Sequence, residues 1–364
     1  MEHTSDKQSP MPVECRGLWK VYGRRADAAV AAIREKNLTK EEVARQFDCV
    51  VGVRDVSFAV RPHEMFCIMG LSGSGKSTLV RHINRLIEPS AGEVLVDGVN
   101  INRLPEPELR RLRSRKIGMV FQHMSLWPHR SVLENVTFGL EIQGVPTRQR
   151  LLTARSALEK VGLEGWEDKY PDQLSGGMKQ RVGLARALAA DPSILLMDEP
   201  FSALDPLIRR QLQDQFLELS RGMRKTTLFI THDLDEAIRL GDRIAIMRAG
   251  TIVQIGTPED IVLNPRDSYV ADFVRGISRL HLVHAAAVMM PPEKYLSEHD
   301  GDLKSLPKVQ ISSDLNSLIS VVVTHRKPAL IVDGGTVVGV VTAEALLSAI
   351  QGRDTDAAKP GSST

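Results

Sequence analysis

The run Gly70-Leu71-Ser72-Gly73-Ser74-Gly75-Lys76-Ser77-Thr78 carries the densest chemistry in the sequence. Glycines at this spacing let the backbone turn with its N–H groups facing inward, forming a nest for an anion. In such a loop Lys76 reaches the β- and γ-phosphates of a nucleotide, and the Ser77 hydroxyl ligates Mg2+. A second run, Ile194-Leu195-Leu196-Met197-Asp198-Glu199-Pro200, is an apolar strand that ends in two adjacent carboxylates. Asp198 suits Mg2+, usually through water, and Glu199 is placed to polarise an attacking water. A third run, Leu174-Ser175-Gly176-Gly177-Met178-Lys179-Gln180-Arg181, opens a helix. Alone it reads as a helix N-cap; its exposed N–H groups also make it a second anion site. Two anion sites far apart in one chain suggest a composite arrangement, with one chain's Gly70 loop facing another chain's Ser175 segment across a two-fold axis.

The elements around these runs suit them. An apolar strand at Met65–Met69 runs into the glycine loop, and an amphipathic helix follows from Lys76 to Leu86. Further strands are expected at Val13–Trp19, Val53–Val60, Glu93–Val96, Lys116–Phe121, Ser193–Met197, Thr226–Ile230, Arg243–Met247 and Thr251–Ile255. Alternating strands and helices give an α/β fold class. The stretch from Ser131 to Ala190 reads as mostly helical and interrupts that alternation, as an inserted subdomain would. Arg24 to Asp48 reads as two short helices, the second opened by a capping box of Thr39 and Glu42. A helix-turn-helix reading of Thr39–Val53 lacks a basic recognition face.

Composition narrows the classes. The chain has 364 residues, 47 Lys and Arg against 45 Asp and Glu, so charge gives no footprint for nucleic acid. The basic run Arg110–Lys116 reads as a solvated helix face, with an interaction surface as the alternative. Cys15, Cys49 and Cys67 fall in no metal-ligand spacing and form no obvious disulfide set. No run of about eighteen apolar residues is present, so a membrane role must come through a partner. The N-terminus carries no signal peptide pattern. Residues 1–12 and 351–364 read as disordered. After about Gly276 the composition shifts. Met289-Met290-Pro291-Pro292 and the polar run Ser297–Lys304 read as linker or irregular turn. Strands at Ala329–Asp333 and Val337–Thr342, around a Gly334-Gly335 turn, precede a helix at Ala343–Ile350.

Together, LSGGMKQR, GLSGSGKST and ILLMDEP resemble the nucleotide-binding subunit of the ABC transporter family, over roughly residues 13–275. The resemblance implies a P-loop NTPase cassette with a helical subdomain at about 128–190. It implies ATP and Mg2+ as ligands, and two subunits clamping two ATP molecules head to tail. Gln122 matches the family's Q-loop glutamine, sensing Mg2+ and the attacking water. Ser202-Ala203-Leu204-Asp205 matches the D-loop, and His232 matches the switch histidine that holds the γ-phosphate. Ser175 and Gly177 of one chain would contact the γ-phosphate held by Lys76 of the other. The nucleotide site it implies takes in Gly70, Ser72, Gly73, Ser74, Gly75, Lys76, Ser77, Thr78, Gln122, Ser175, Gly176, Gly177, Asp205 and His232. Lys76, Gln122, Glu199 and His232 are implied as catalytic, and Ser77, Gln122 and Asp198 as metal-holding. Tyr22 matches the aromatic residue that stacks on adenine and is preferred over Phe47.

The segment 24–48 resembles the N-terminal insertion of quaternary-amine importers. So do Ile68–Gly75, Asn84–Pro89 and Phe201–Arg209. The implied cargo is glycine betaine, choline or proline betaine; histidine, proline or another small solute is the alternative, and a soluble ABC ATPase the remaining class. Implied partners are a second copy, an integral membrane permease and, through it, a periplasmic or extracellular substrate-binding protein. The implied location is the cytoplasmic face of the inner membrane, peripherally. The loop Met124–His129 is expected to receive a permease coupling helix. Residues 280–350 resemble a single CBS module, which would pair across the dimer, with a small α/β dimerisation appendage as the alternative.

Overall fold

A computed structural model describes residues 10–122, 125–202, 204–299 and 302–351, without the side chains of 221 and 351. The expected disorder at 1–12 and 351–364 therefore lies mostly outside the described residues, as do Met124 and Ala203. The chain divides into two compact units, Met1–Thr257 and Pro258–Thr364.

The first unit opens with β1 (Val13–Tyr22), then α1 (Ala26–Lys36) and α2 (Lys40–Phe47), and returns as β2 (Val50–Val60). The capping box that starts α2 is present: Thr39 Oγ1 accepts from the Glu42 N–H, and Glu42 Oε2 accepts from the Thr39 N–H. The all-buried β3 (Met65–Met69) feeds α3 (Lys76–Ile83). Next come β4 (Ala91–Val96), β5 (Val99–Asn100), α4 (Glu106–Lys116) and β6 (Ile117–Val120). Three helices follow and pack on one another: α5 (Val132–Ile142), α6 (Thr147–Lys160) and α7 (Gly176–Ala189). The unit finishes with β7 (Ile194–Asp198), α8 (Pro206–Met223), β8 (Thr226–Thr231), α9 (Leu234–Leu240), β9 (Arg243–Arg248) and β10 (Thr251–Gly256).

These strands form two sheets. One is antiparallel, in the order β2-β1-β4-β5. The other runs β10-β9-β3-β8-β7-β6, parallel from β9 to β6, with β10 antiparallel at its edge. The burial patterns explain the division. β3, β7 and β8 are buried throughout, as strands covered on both faces must be. β2 largely alternates buried and open positions, as a sheet with one wet face does. One core fills the space between the sheets: Phe58 stacks on Phe66 at 5.1 Å, and Leu18, Val53, Ile68, Leu79 and Ile230 pack with them. A smaller core joins Ala29, Val30, Ile33 and Val43 of α1 and α2 to Trp19 and Val51 of the antiparallel sheet. The two inserted helices are thus anchored on the strands they interrupt.

The second unit comprises α10 (Pro258–Leu263), α11 (Ser268–Val274), α12 (Ala285–Val288), α13 (Pro292–Glu298), β11 (Lys308–Gln310), α14 (Leu315–His325), β12 (Ala329–Asp333), β13 (Thr336–Val341) and α15 (Ala343–Gln351). Its sheet runs β11-β12-β13, with the β12–β13 hairpin as the Gly334-Gly335 turn requires. The change of unit at 257 comes earlier than the boundary at 275 to 280 read from composition. Leu263 packs on the C-terminal core, and Glu259 accepts the His284 N–H, so α10 belongs with the C-terminal helices. The Met289–Pro292 run is not an irregular linker. Met290 exchanges backbone bonds with Val340, and Pro292 sits in the first turn of α13, where its missing N–H costs nothing.

Candidate functional site

The C-terminal ends of four neighbouring parallel strands converge: Gly70 follows β3, Gln122 lies two residues past β6, Glu199 follows β7 and His232 follows β8. That is the edge of an open parallel sheet where ligands bind. A cavity of about 900 Å3 opens there. Its wall takes in Ser72, Gly73, Gly75, Lys76, Ser77 and Thr78 from the loop and α3, together with Tyr22, Gln122, Glu199 and His232.

The loop's shape depends on glycine at Gly75. Its φ is +105°, and a Cβ there would lie 2.3 Å from the Gly52 carbonyl oxygen. The loop is therefore pressed against the backbone of β2. Lys76 is 5% exposed, and its ammonium donates to the Gly70 carbonyl at 2.7 Å and the Leu71 carbonyl at 3.1 Å. It lies 3.9 Å from Glu199 Oε1. Burial pushes the Lys76 pKa down, and the Glu199 and Asp198 carboxylates pull it back. Gly70 and Ser74 lie behind this wall rather than in it. Ser74 Oγ is buried and, among the described residues, has no hydrogen-bond partner, while the Ser74 carbonyl accepts from the Gly250 N–H.

Ser77 Oγ donates to Asp198 Oδ1 at 2.9 Å. Asp198 is 1% exposed, and burial raises its pKa against the opposing effects of Ser77, Arg81 and Lys76. Arg81, which the sequence reading did not single out, lies 3.7 Å from Asp198 Oδ2. Its signal was available: Ser77 and Arg81 are four apart on α3 and share a face. Hydroxyl and carboxylate oxygens that already converge are donors of the kind Mg2+ takes, so Ser77 and Asp198 fit that ion.

Glu199 adopts φ +46°, uncommon for a residue with a side chain. Its N–H donates to the Ile230 carbonyl, and Ser202 Oγ donates to its carbonyl at 3.0 Å. This pinned turn aims the carboxylate back at the cavity, where Oε2 accepts from His232 Nδ1 at 3.0 Å. Tyr22 is 39% exposed; its hydroxyl is 3.4 Å from Thr78 Oγ1, and the Lys20 ammonium covers its ring at 5.1 Å. Phe47 does not reach the cavity wall. It packs in the small core of the insertion, under the Arg25 guanidinium.

Ser175, Gly176, Gly177 and Asp205 are not in this wall. Ser175 Oγ caps α7 by accepting from the Met178 N–H at 3.3 Å, and Asp205 caps α8 by accepting from Ile208. Conversely, the wall includes residues that sequence reasoning did not place there: Lys40, Glu41 and Ala44 of α2, and Cys49 to Gly52 at the start of β2. No spacing rule links them to the loop; only the antiparallel sheet brings them together.

The ABC transporter family profile matches residues 53–202. A glycine betaine transport ATP-binding protein of Bacillus subtilis (strain 168) is 51% identical over 286 residues, which are 79% of this chain and 68% of that protein. A trimethylamine N-oxide transport ATP-binding protein of Pelagibacter ubique (strain HTCC1062) is 42% identical over 88% of this chain and 92% of its own length. Among solved structures, a dimeric ATP-binding cassette in a post-hydrolysis state, bound to ADP and Pi, matches with a TM-score of 0.57 and 32% identity. That match covers 68% of this chain and 98% of the other.

Proposed function

Because the chain belongs to the ABC transporter family, as an ATP-binding subunit of the quaternary-amine uptake type, we propose that it hydrolyses ATP to drive import of a betaine through a permease. Subunits of this family are ATPases coupled to transport, and they work as dimers with permease and substrate-binding partners. The observation that carries the reading is one cavity lined by Lys76, Ser77, Glu199 and His232, with Asp198 bonded to Ser77 behind it. In it Lys76 holds the β- and γ-phosphates. Gln122 and His232 frame the terminal phosphate, and Glu199, tied to His232, is the base that orients water. Ser77, Asp198 and Gln122 would hold Mg2+, which supplies positive charge to the phosphates when bound. Tyr22 offers its ring to adenine.

The second half of each site comes from Ser175, Gly176 and Gly177 of another copy, with Asp205 near the junction. The helices α5 to α7 then serve as the helical subdomain that presents this segment. Trp127 is 42% exposed and packs on Phe138 at 5.6 Å, so its open face suits a permease coupling helix. Among the described residues no helix is long and apolar enough to cross a membrane. The subunit is accordingly held at the cytoplasmic face of the inner membrane by its permease. Residues 280–350 serve as a single CBS-like module that pairs across the dimer. Leu347, 58% exposed on α15, offers an apolar contact for that pairing.

Glycine betaine, choline and proline betaine are the proposed cargo. Trimethylamine N-oxide is a second reading, favoured by the relative that this chain covers almost end to end. Vesicles containing the permease and this subunit, supplied with the binding protein, test the cargo. ATP-dependent uptake of glycine betaine, choline, trimethylamine N-oxide and histidine is compared side by side. Uptake of histidine alone would overturn the amine reading.

A further inference from the structure

The insertion that carries α2 does more than decorate the sheet. Lys40, Glu41 and Ala44 all line the nucleotide cavity, and Ala44, four residues after Lys40 and three after Glu41, shares a helix face with each. α2 ends at Phe47 and the chain enters β2 at Val50, whose cross-strand partner is Tyr22. The helix therefore leads directly into the strand position that pairs with Tyr22, and both line the same cavity. Tyr22 and Val50, 39% and 65% exposed, leave an apolar strip beside it. Lys40 stands at the first position of the helix, and the carboxylate that acts on its ammonium is Glu41 of the same helix. Burial pushes its pKa down, an expense that a nearby phosphate would offset.

We propose that α2 is a wall of the ATP site, with Lys40 contacting the proximal phosphate of the nucleotide and Glu41 accepting from its ribose hydroxyls. The inference rests on the ATP reading of the cavity. Ala44 completes the wall by leaving room for the sugar. Nucleotide affinity is thereby coupled to the docking of the insertion, since the core of Ala29, Val30, Ile33 and Val43 holds α2 in place.

The test uses the purified full chain and titrations with ATP, ADP and 2′-deoxy-ATP, read by displacement of a fluorescent trinitrophenyl nucleotide. Lys40→Ala is expected to weaken ATP and ADP binding by the same factor, roughly tenfold, because the contact is not to the γ-phosphate. The same variant lowers the salt dependence of binding, which a structural role alone would not do. Lys40→Arg restores affinity to within about threefold. Ala44→Trp, which adds bulk to the wall without touching charge, also weakens binding about tenfold or more. Glu41→Ala reduces the preference for ATP over 2′-deoxy-ATP. Binding by Lys40→Ala and Ala44→Trp equal to the unsubstituted chain overturns the inference, as does a loss seen with ATP and not ADP. Lys76→Ala separates the two levels. If it loses ATP while Lys40→Ala keeps it, the α2 wall alone is wrong; if Lys76→Ala binds normally, the ATP reading of the cavity is wrong.

Discussion

The start of α3 and the start of α7 are built from similar residues and stand in opposite surroundings. Both are glycine- and serine-rich turns that open a helix with its positive end exposed. Around α3 the chain supplies a full set of partners: Lys76 bonds two carbonyls, Ser77 bonds Asp198, and Glu199 is tied to His232. Around α7, among the described residues, Ser175 bonds only its own helix, and a Cβ on Gly176 would meet nothing within 4 Å. Equal local chemistry with unequal surroundings is what a half-site looks like. The first already has partners from its own chain in place; under the proposed function the second has none there because it completes the site of another copy.

Substitutions can break this contrast. Glu199→Gln is expected to lower hydrolysis by about 10^2 to 10^4-fold, since it removes the proposed base. ATP binding persists, so the variant accumulates as an ATP-bound dimer in size-exclusion chromatography. Normal turnover would remove Glu199 from its role. Lys76→Ala lowers ATP affinity about 100-fold or more, because it removes a buried cation from the phosphates. Ser175→Arg, at the open half, leaves binding by the single chain intact and stops turnover. Equal binding losses in the two variants would erase the difference between the regions.

Stability sharpens the same contrast. Gly75→Ala costs about 2–4 kcal/mol, from its φ of +105° and the 2.3 Å approach to the Gly52 oxygen. Gly176→Ala stays within about 1 kcal/mol of the original, since alanine suits a helix and no atom is near. Urea unfolding midpoints measure both. His82, fully buried in α3, adds a pH signature to the closed half. Its Nδ1–H donates to the Ile87 carbonyl at 2.7 Å, its Nε2 has no partner among the described residues, and burial lowers its pKa to about 4 from 6.5. The unfolded chain therefore takes up the proton first. Stability is fully present above about pH 6.5 and falls as the pH drops toward 4, by about 3 kcal/mol in all. His82→Gln should flatten that part of the pH profile.

The sequence made the closed half legible because its signals are short-range. The glycine loop, the strand before it, the two carboxylates after β7 and the Thr39–Glu42 capping box each span fewer than ten residues. Features set by distant pairing were not legible. The split of the strands into two sheets depends on β1 pairing with both β2 and β4. The approach of α2 to the cavity follows from that sheet. Arg81 is the exception: its spacing of four from Ser77 on α3 was readable, and only its ion pair with Asp198 waited on the fold. In the second unit, β11 has three residues and β12 as its parallel partner, too short a run to leave a periodic pattern. Helix α14 has a capping aspartate, Asp314, and an apolar run from Leu315, a helix-start signal that the sequence analysis left unassigned.

Complementation between two inactive chains tests the shared site most directly. Lys76→Ala and Ser175→Arg are purified, shown to be inactive alone, mixed, and assayed for ATP hydrolysis. In a head-to-tail dimer the mixed pair joins both lesions in one site and leaves the other intact. Activity should then return to roughly one quarter of the unsubstituted level after random exchange. A mixture as inactive as its two components would contradict a site shared between copies, and would return the work of Ser175 to the capping of its own helix.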